Sequence, residues 1–474
     1  MFALADDTLA RWQFATTTIY HFLFVPISIG LALVVATMQS FAYRRRGTSS
    51  GEVWDRAARF WGRLLLVVFA MGIVTGIVQE FQFGMNWSAY SRFVGDVFGA
   101  PLALEGLIAF FLESTFLGLW VFGRNILSPR VHLATIWLAA VGTAVSAYFI
   151  LAANSWMQHP VGYRIDPVSH RAELTDIWRV LTQKTALVTF THTFMAALLT
   201  GGALLLSVSA WHLRHPSGED RLHLRVIRLS LALMLVAVVG VTLSGHIQGQ
   251  VMTQQQPMKM AAAEAAWNTS RNAPFSLFAY GDVTHGRNKF DIKVPDGLSI
   301  LATDHPSGRV EGINDVQAAE QAKFGPGNYI PIVGLAYWAF RLMIGFGILA
   351  GLLALVLFVQ WRRGTLQQNR RLLGLAVWAI ALPTLANTFG WVFTETARQP
   401  WVVYGVLTTR AGVSTNVSNA MVLMTLVGFT ALYGALAVVA VRLFVRLARK
   451  GPDPVDDTPP DASVSDEGVL SLVY

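Results

Sequence analysis

What most constrains this chain is a series of apolar segments, each close to the length that spans a bilayer, joined by short arginine-rich connections. About 20 consecutive apolar residues cross the hydrocarbon of a membrane. Nine such segments are read here, at roughly 13–43, 61–83, 98–123, 131–154, 185–212, 226–248, 330–361, 372–395 and 416–446. The expected fold is an all-α integral membrane protein of about nine transmembrane helices. Composition agrees: 54% of the 474 residues are hydrophobic and only 14% charged, too few charges for two or three soluble domains. No fixed-period internal repeat is visible.

The formal net charge of +8 belongs to topology, and no nucleic-acid partner is expected. Connections 44–60, 124–130, 213–225, 362–371 and the stretch after 441 are short and basic, carrying among others Arg44, Arg45, Arg46, Arg124, Arg362, Arg371 and Arg446. Such loops face the cytoplasm. The N-terminus and loops 84–97, 155–184, 249–329 and 396–415 then lie outside, and the C-terminus inside. The chain divides into spans one to six (1–248), an extracytoplasmic loop (249–329), spans seven to nine (330–450) and an acidic, proline-rich tail (451–474) expected to be disordered. No cleavable leader is expected, because the first apolar run is long and preceded by Asp6 and Asp7. The absence of cysteine excludes iron–sulfur clusters, thioether-attached haem and disulfides.

Few residues inside the spans carry chemistry. The eighth span ends in GWVFTETARQPW, which puts Glu395 and Arg398 between Trp391 and Trp401 at a membrane boundary. An interfacial Trp/Arg anchor is one reading; a functional carboxylate is the other. His21 and His192 lie roughly 12–14 Å below the outer surface, Met343 roughly 18 Å and Glu105 roughly 10 Å, with Glu395 at the outer mouth. Helices of alternating direction thus bring these residues to one layer in the outer half of the bilayer. Singly, Met343 reads as core packing and each histidine as an interhelical hydrogen bond. Together, His, Met and carboxylate without cysteine suit haem iron, and Arg341 and Arg398 stand at heights suited to propionates. Glu105 and Glu113, eight residues apart, fall about 80° around and about 12 Å along an ideal helix. Glu113 near mid-membrane suits a proton relay, with Ser146 of the fourth span along it, or else a permanently protonated interhelical hydrogen bond.

The loop 249–329 is too long for a mere connector. Met258 to Trp267 is helix-forming and places Lys259 and Glu264 near one another; short polar pieces follow. Five residues apart, the two cannot form an ordinary i,i+4 pair, which suggests a ligand between them or a non-helical backbone.

Several stretches, taken in order, resemble subunit I of the cytochrome bd-type quinol oxidases: RWQFATTTIYHFLFVP around His21, EFQFGMNWSAYSRFVGDVFGAPLALEG around Glu105, FFLESTF around Glu113, THT at His192, AFRLM at Met343, and GWVFTETARQPW. The resemblance runs from Arg11 to about Arg446. It implies that His192 and Met343 ligate a low-spin haem b. It also implies that His21 and Glu395 ligate the irons of two high-spin haems, a second haem b and usually a haem d; some members carry only b haems. Glu105 would lie by the oxygen-reducing haem, Trp391 between haems, and Arg341 and Arg398 by propionates. Lys259 and Glu264 match residues of quinol oxidation in the family's Q-loop. Implied partners are subunit II, a small single-helix subunit, menaquinol or ubiquinol, O₂ and the bilayer. The implied activity is oxidation of quinol outside and reduction of O₂ to water, building a proton motive force without pumping. Ala397 stands where the family usually has glycine before Arg398, and the Q-loop lacks the long insertion of one branch. A haem–copper oxidase core would need roughly six intramembrane histidines. A proton-coupled transporter built on Glu105 and Glu113 is the alternative from another class; it calls for paired broken helices at mid-membrane.

Overall fold

The computed structural model describes residues 6–215, 218–282 and 286–453. Among them, nine helices are long and apolar enough to cross a membrane. They are α1 (Asp7–Arg44), α2 (Ser49–Met85), α3 (Ser88–Phe122), α4 (Pro129–Gln158), α5 (Lys184–Arg214), α6 (Asp220–Gln255), α7 (Val333–Arg362), α8 (Arg370–Thr396) and α9 (Asn419–Lys450). Each covers an expected span, most running past its ends.

One expected loop is largely absent. Residues 84–97 read as polar, yet α3 starts at Ser88, and Tyr90, Val94 and Val97 form a buried stripe against Trp87, Trp156 and Val402. The polar groups are accommodated locally: Ser414 Oγ accepts from the Ser88 amide at 2.8 Å, and the Ser91 hydroxyl donates to Phe83 O at 2.7 Å.

Two helices depart from α geometry. In α3, Glu105–Phe110 forms a π-helical segment, a feature frequent at functional sites. It undoes the ideal-helix phase expected between Glu105 and Glu113. In α8, residues 378–380 interrupt the helix. Pro383 cannot donate to Ala379 O, and the Ile380 amide bonds instead to Ser207 Oγ of α5 at 3.0 Å.

The core of the basic end is a cluster from α1 to α6 that includes Leu31, Trp61, Leu64, Trp120, Ile136 and Leu205. Without a hydrophobic force between helices in lipid, close packing of small residues takes over. A Cβ on Gly30 would lie 2.4 Å from Ala197 O and 2.8 Å from Gly201 Cα, so α1 and α5 touch backbone to backbone. Several basic-end arginines are paired, Arg124 with Asp55 at 2.6 Å and Arg63 with Asp453 at 2.9 Å. Of the tail, only 451–453 belongs to the described residues; its expected disorder falls outside them.

The long α6–α7 connection is structured rather than a chain of polar pieces. Helix Pro257–Glu264 is followed by a hairpin of strands Phe275–Asp282 and Arg287–Val294, then helices Gly297–Thr303 and Ile313–Phe324. His246, at the end of the sixth span as read from sequence, sits well inside α6 and pairs with Asp304 at 2.8 Å, tying that helix to the connection.

Candidate functional site

Two cavities lie side by side in the half of the bundle next to the α6–α7 connection. The first, about 500 Å³, is lined by His192, Met343, Trp391 and Lys259 among others. The second, about 430 Å³, is lined by His21, Glu80, Glu105, Glu113 and Glu395. Phe22, Asn154, Thr193 and Trp391 face both, so Trp391 stands in the partition, its ring 4.8 Å from that of Phe22. Its indole Nε1–H is buried without a partner.

The histidines share one construction. The Thr75 hydroxyl donates to Met71 O at 2.7 Å, so at its 2.9 Å contact with His21 it accepts from Nδ1–H. Likewise Ser244 Oγ donates to Gly240 O at 2.6 Å and accepts from His192 Nδ1 at 3.1 Å. Each ring is thereby fixed as the tautomer with a free Nε2 lone pair, the form that binds a metal. Each also leans on a glycine: a Cβ at Gly76 or Gly245 would stand 3.2 Å from Cε1 of His21 or His192. Met343 repeats this, since a Cβ at Gly390 would lie 3.0 Å from its sulfur.

Glu395 is held from both sides. Its Oε1 accepts from Asn154 Nδ2 at 2.9 Å and its Oε2 from Arg398 Nη2 at 2.6 Å. Arg398 is buried, with Nε and Nη1 unpartnered. Ala397 is buried in a well-packed apolar cluster, so its methyl is accommodated. From Asn154 the hydrogen bonds continue: Gln158 Nε2 donates to Asn154 Oδ1 and Lys259 Nζ to Gln158 Oε1, each at 2.9 Å.

The carboxyls of α3 are bridged to α4. Ser146 Oγ donates to Glu105 Oε1 at 2.6 Å and Thr143 Oγ1 to Glu113 Oε1 at 2.7 Å. Gly142 lets the helices approach, for a Cβ there would be 2.9 Å from Glu113 N.

Lys259 and Glu264 are both buried, but they are not a pair. The backbone between them is helical, and they point apart. Lys259 reaches Gln158 and Thr394 O and lies over the Phe393 ring. Glu264 Oε2 accepts from Arg341 Nη2 at 2.6 Å and from the Ser276 amide at 3.2 Å. The expected closeness of Lys259 and Glu264 is therefore corrected: Arg341 stands beside Glu264 instead, as a buried carboxylate needs a partner at contact distance. Glu264 Oε1 and Arg341 Nη1 are buried without partners. Burial pulls the Lys259 ammonium down to about 7, helped by the Arg398 cation and opposed by Glu395. Burial pushes the Glu264 carboxyl up to about 7 against the pull of Arg341 and the Ser276 amide.

Glu80 was not singled out from sequence, although it stands in the quoted EFQFGMNW stretch. It lies four residues after Gly76 on the same face of α2, and a carboxyl inside a span was itself a signal. Asn154, Gln158, Thr75 and Ser244 carried no comparable signal, as polar residues with ordinary helical roles.

These residues match the subunit I model of the cytochrome bd terminal oxidases over residues 9–452. The chain belongs to that family. It is 43% identical to a cytochrome bd ubiquinol oxidase subunit 1 of Bacillus subtilis (strain 168), over 99% of both chains. It is 34% identical to the cytochrome bd-II ubiquinol oxidase subunit 1 of Escherichia coli (strain K12), covering 95% of this chain and 98% of the relative. Its fold superposes on the bd oxidase of Geobacillus thermodenitrificans with a TM-score of 0.84 at 27% identity, covering 95% of this chain and all of the other. The chain is thus a transmembrane oxidoreductase subunit of quinol-oxidase type.

Haem fits the donors present. Two neutral imidazoles, a thioether and a carboxylate face the cavities, and buried arginines keep spare N–H groups for anionic substituents.

Proposed function

We propose that this chain oxidises quinol at the end bearing the α6–α7 connection and reduces O₂ to water at the second cavity, with that end outside a bacterial cytoplasmic membrane. The observation that carries the reading is the pair of cavities divided by Trp391, each presenting one histidine with a free Nε2. His192 and Met343 would hold a low-spin haem b, and His21 and Glu395 the irons of a high-spin haem b and a haem d or further b. Haem supplies one-electron transfer and, where a coordination position is open, oxygen binding.

The chain's own residues do the rest. Glu264, with an unsatisfied Oε1 and an affinity for protons near neutrality, takes a quinol proton, while Lys259 donates to a quinol oxygen. Arg341 and Arg398 offer spare N–H groups to propionates. Thr75 and Ser244 fix the imidazole tautomers. Glu113, then Glu105 with Ser146, receive protons from the basic, cytoplasmic end. Quinol protons are released outside and those for water taken up inside, so charge is separated without a pump. Subunit II and a small single-helix subunit would complete the complex, with the N-terminus outside and the C-terminus inside.

A reduced-minus-oxidised visible spectrum of the purified complex tests this together with quinol-driven oxygen uptake. Haem b bands, with a red-shifted chlorin band if haem d is present, and quinol-dependent uptake are expected. A protein without haem bands would return the carboxylates to a transporter role.

A further inference from the structure

The hairpin of the α6–α7 connection has two unlike faces. Toward the connection's core it turns Ala279, buried against Trp267, while Asp291 and Lys293 pair at 2.6 Å. The opposite face sets Phe278 across from Ile292 and Tyr280 across from Phe290. These four side chains are 40–63% exposed. Cross-strand aromatic and branched pairs stabilise a hairpin, but a contiguous apolar face of this kind left in water marks an interaction surface.

Its height identifies what it meets. Phe278 packs edge-on against Trp338 of α7, with ring centroids 5.2 Å apart. Taking Trp361 as the anchor at the basic end, about 30 Å of hydrocarbon and a rise of 1.5 Å per residue carry the bilayer core along α7 to about Arg341. Trp338 then stands at headgroup level, where Trp and Tyr collect. Trp338 is itself 38% exposed, and deeper along α7 Ile348, Leu349 and Leu352 are exposed as well. The hairpin face therefore meets α7 at the outer edge of its membrane-spanning stretch.

We propose that this hairpin is seated on the bilayer, with Phe278, Tyr280, Phe290 and Ile292 in the boundary between phospholipid headgroups and acyl chains of the leaflet on that side. An amphipathic element needs only to sink its apolar face a few ångströms to bind there. Tyr280 suits that depth, with an apolar ring and a polar tip. The seat concerns lipid and stands or falls independently of where quinol is oxidised.

The test uses the chain's lack of cysteine. Tyr280→Cys, Phe290→Cys and, as a water-facing control, Ala318→Cys on the exposed side of helix Ile313–Phe324 are each labelled with a fluorophore. The complete oxidase complex is held in phospholipid nanodiscs, and unsubstituted complex gives the background. Labels at 280 and 290 should be quenched several-fold more than the label at 318 by lipids carrying a nitroxide near the headgroup. They should be quenched several-fold less by aqueous iodide. Iodide quenching equal to that at 318 would place the face in water, and protection from both quenchers would place it under another protein; either overturns the proposal.

Discussion

The cavity of His192 and Met343 holds no carboxyl group, whereas that of His21 holds four, from Glu80, Glu105, Glu113 and Glu395. A lining without carboxyls lets an electron arrive and leave with little proton traffic. Carboxyls inside a membrane span are the groups that take up and pass on protons there. Reduction of oxygen to water, proposed for the second cavity, consumes one proton per electron, and that cavity has the carboxyls to pass it. One bundle thus offers two electrostatic environments across a single tryptophan.

The sharpest way to break this division is to remove one histidine at a time. His192→Ala should abolish the low-spin haem signal and leave most high-spin absorbance, and His21→Ala should remove one of the two high-spin signals and leave the low-spin one, read from reduced-minus-oxidised spectra. Loss of all signals together in either variant would show that the cavities do not act separately. Next in size, Glu113→Gln keeps shape and hydrogen bonding but passes no proton, so turnover with excess quinol should fall ~10²–10⁴-fold at near-normal haem content. Wild-type oxygen uptake would leave Glu113 a structural hydrogen-bond partner of Thr143.

Glu264→Ala and Lys259→Ala should each slow quinol oxidation by about tenfold or more, while oxygen reduction from an artificial donor that reaches the haems directly survives. If both activities fell together, the loop would be structural. The pH profile sharpens this. Glu264 accepts a proton only when ionised, above about 7, and Lys259 is cationic only below about 7. kcat/KM for quinol should therefore be bell-shaped with its maximum near neutrality; Glu264→Ala should flatten the acid limb and Lys259→Ala the alkaline one. The smallest effect belongs to Met343→Leu. Volume is retained, at a cost under about 1.5 kcal/mol, but loss of the thioether should lower the low-spin midpoint potential, and an unchanged potential would count against Met343 as a ligand.

Much of the fold was legible because lipid imposes a length on each helix, so hydropathy alone located all nine. Where that rule stops, sequence reading weakened. Residues 84–97 were read as a loop from their polarity, although Tyr90, Val94 and Val97 already carried a helical stripe. The π segment at Glu105–Phe110 leaves no compositional trace. In the connection, FSLFAYGD and RNKFDIKV do alternate as a hairpin, a pattern hidden by the interspersed charges. For the site, residue types and span positions singled out His21, His192 and Met343, which line the two cavities, and the family motifs carry the roles proposed for them. The partners that fix the rings, Thr75 and Ser244, and the glycines they lean on depend on which helices meet, which one sequence does not state. The Glu264–Arg341 pair was missed for the same reason: its members are 77 residues apart.

Lys259, Gln158 and Asn154 each donate in the same direction toward Glu395, so the two amides stand head to tail between an ammonium and a carboxylate. Aligned dipoles reinforce one another in a medium of low polarisability. The Glu395 carboxylate supports the cation of Lys259 at the other end of this chain, so the two ends are energetically linked. If quinol is oxidised beside Lys259 and oxygen reduced beside Glu395, as proposed, the two half-reactions share one coupling free energy, and a measurement at either end reads the state of the other.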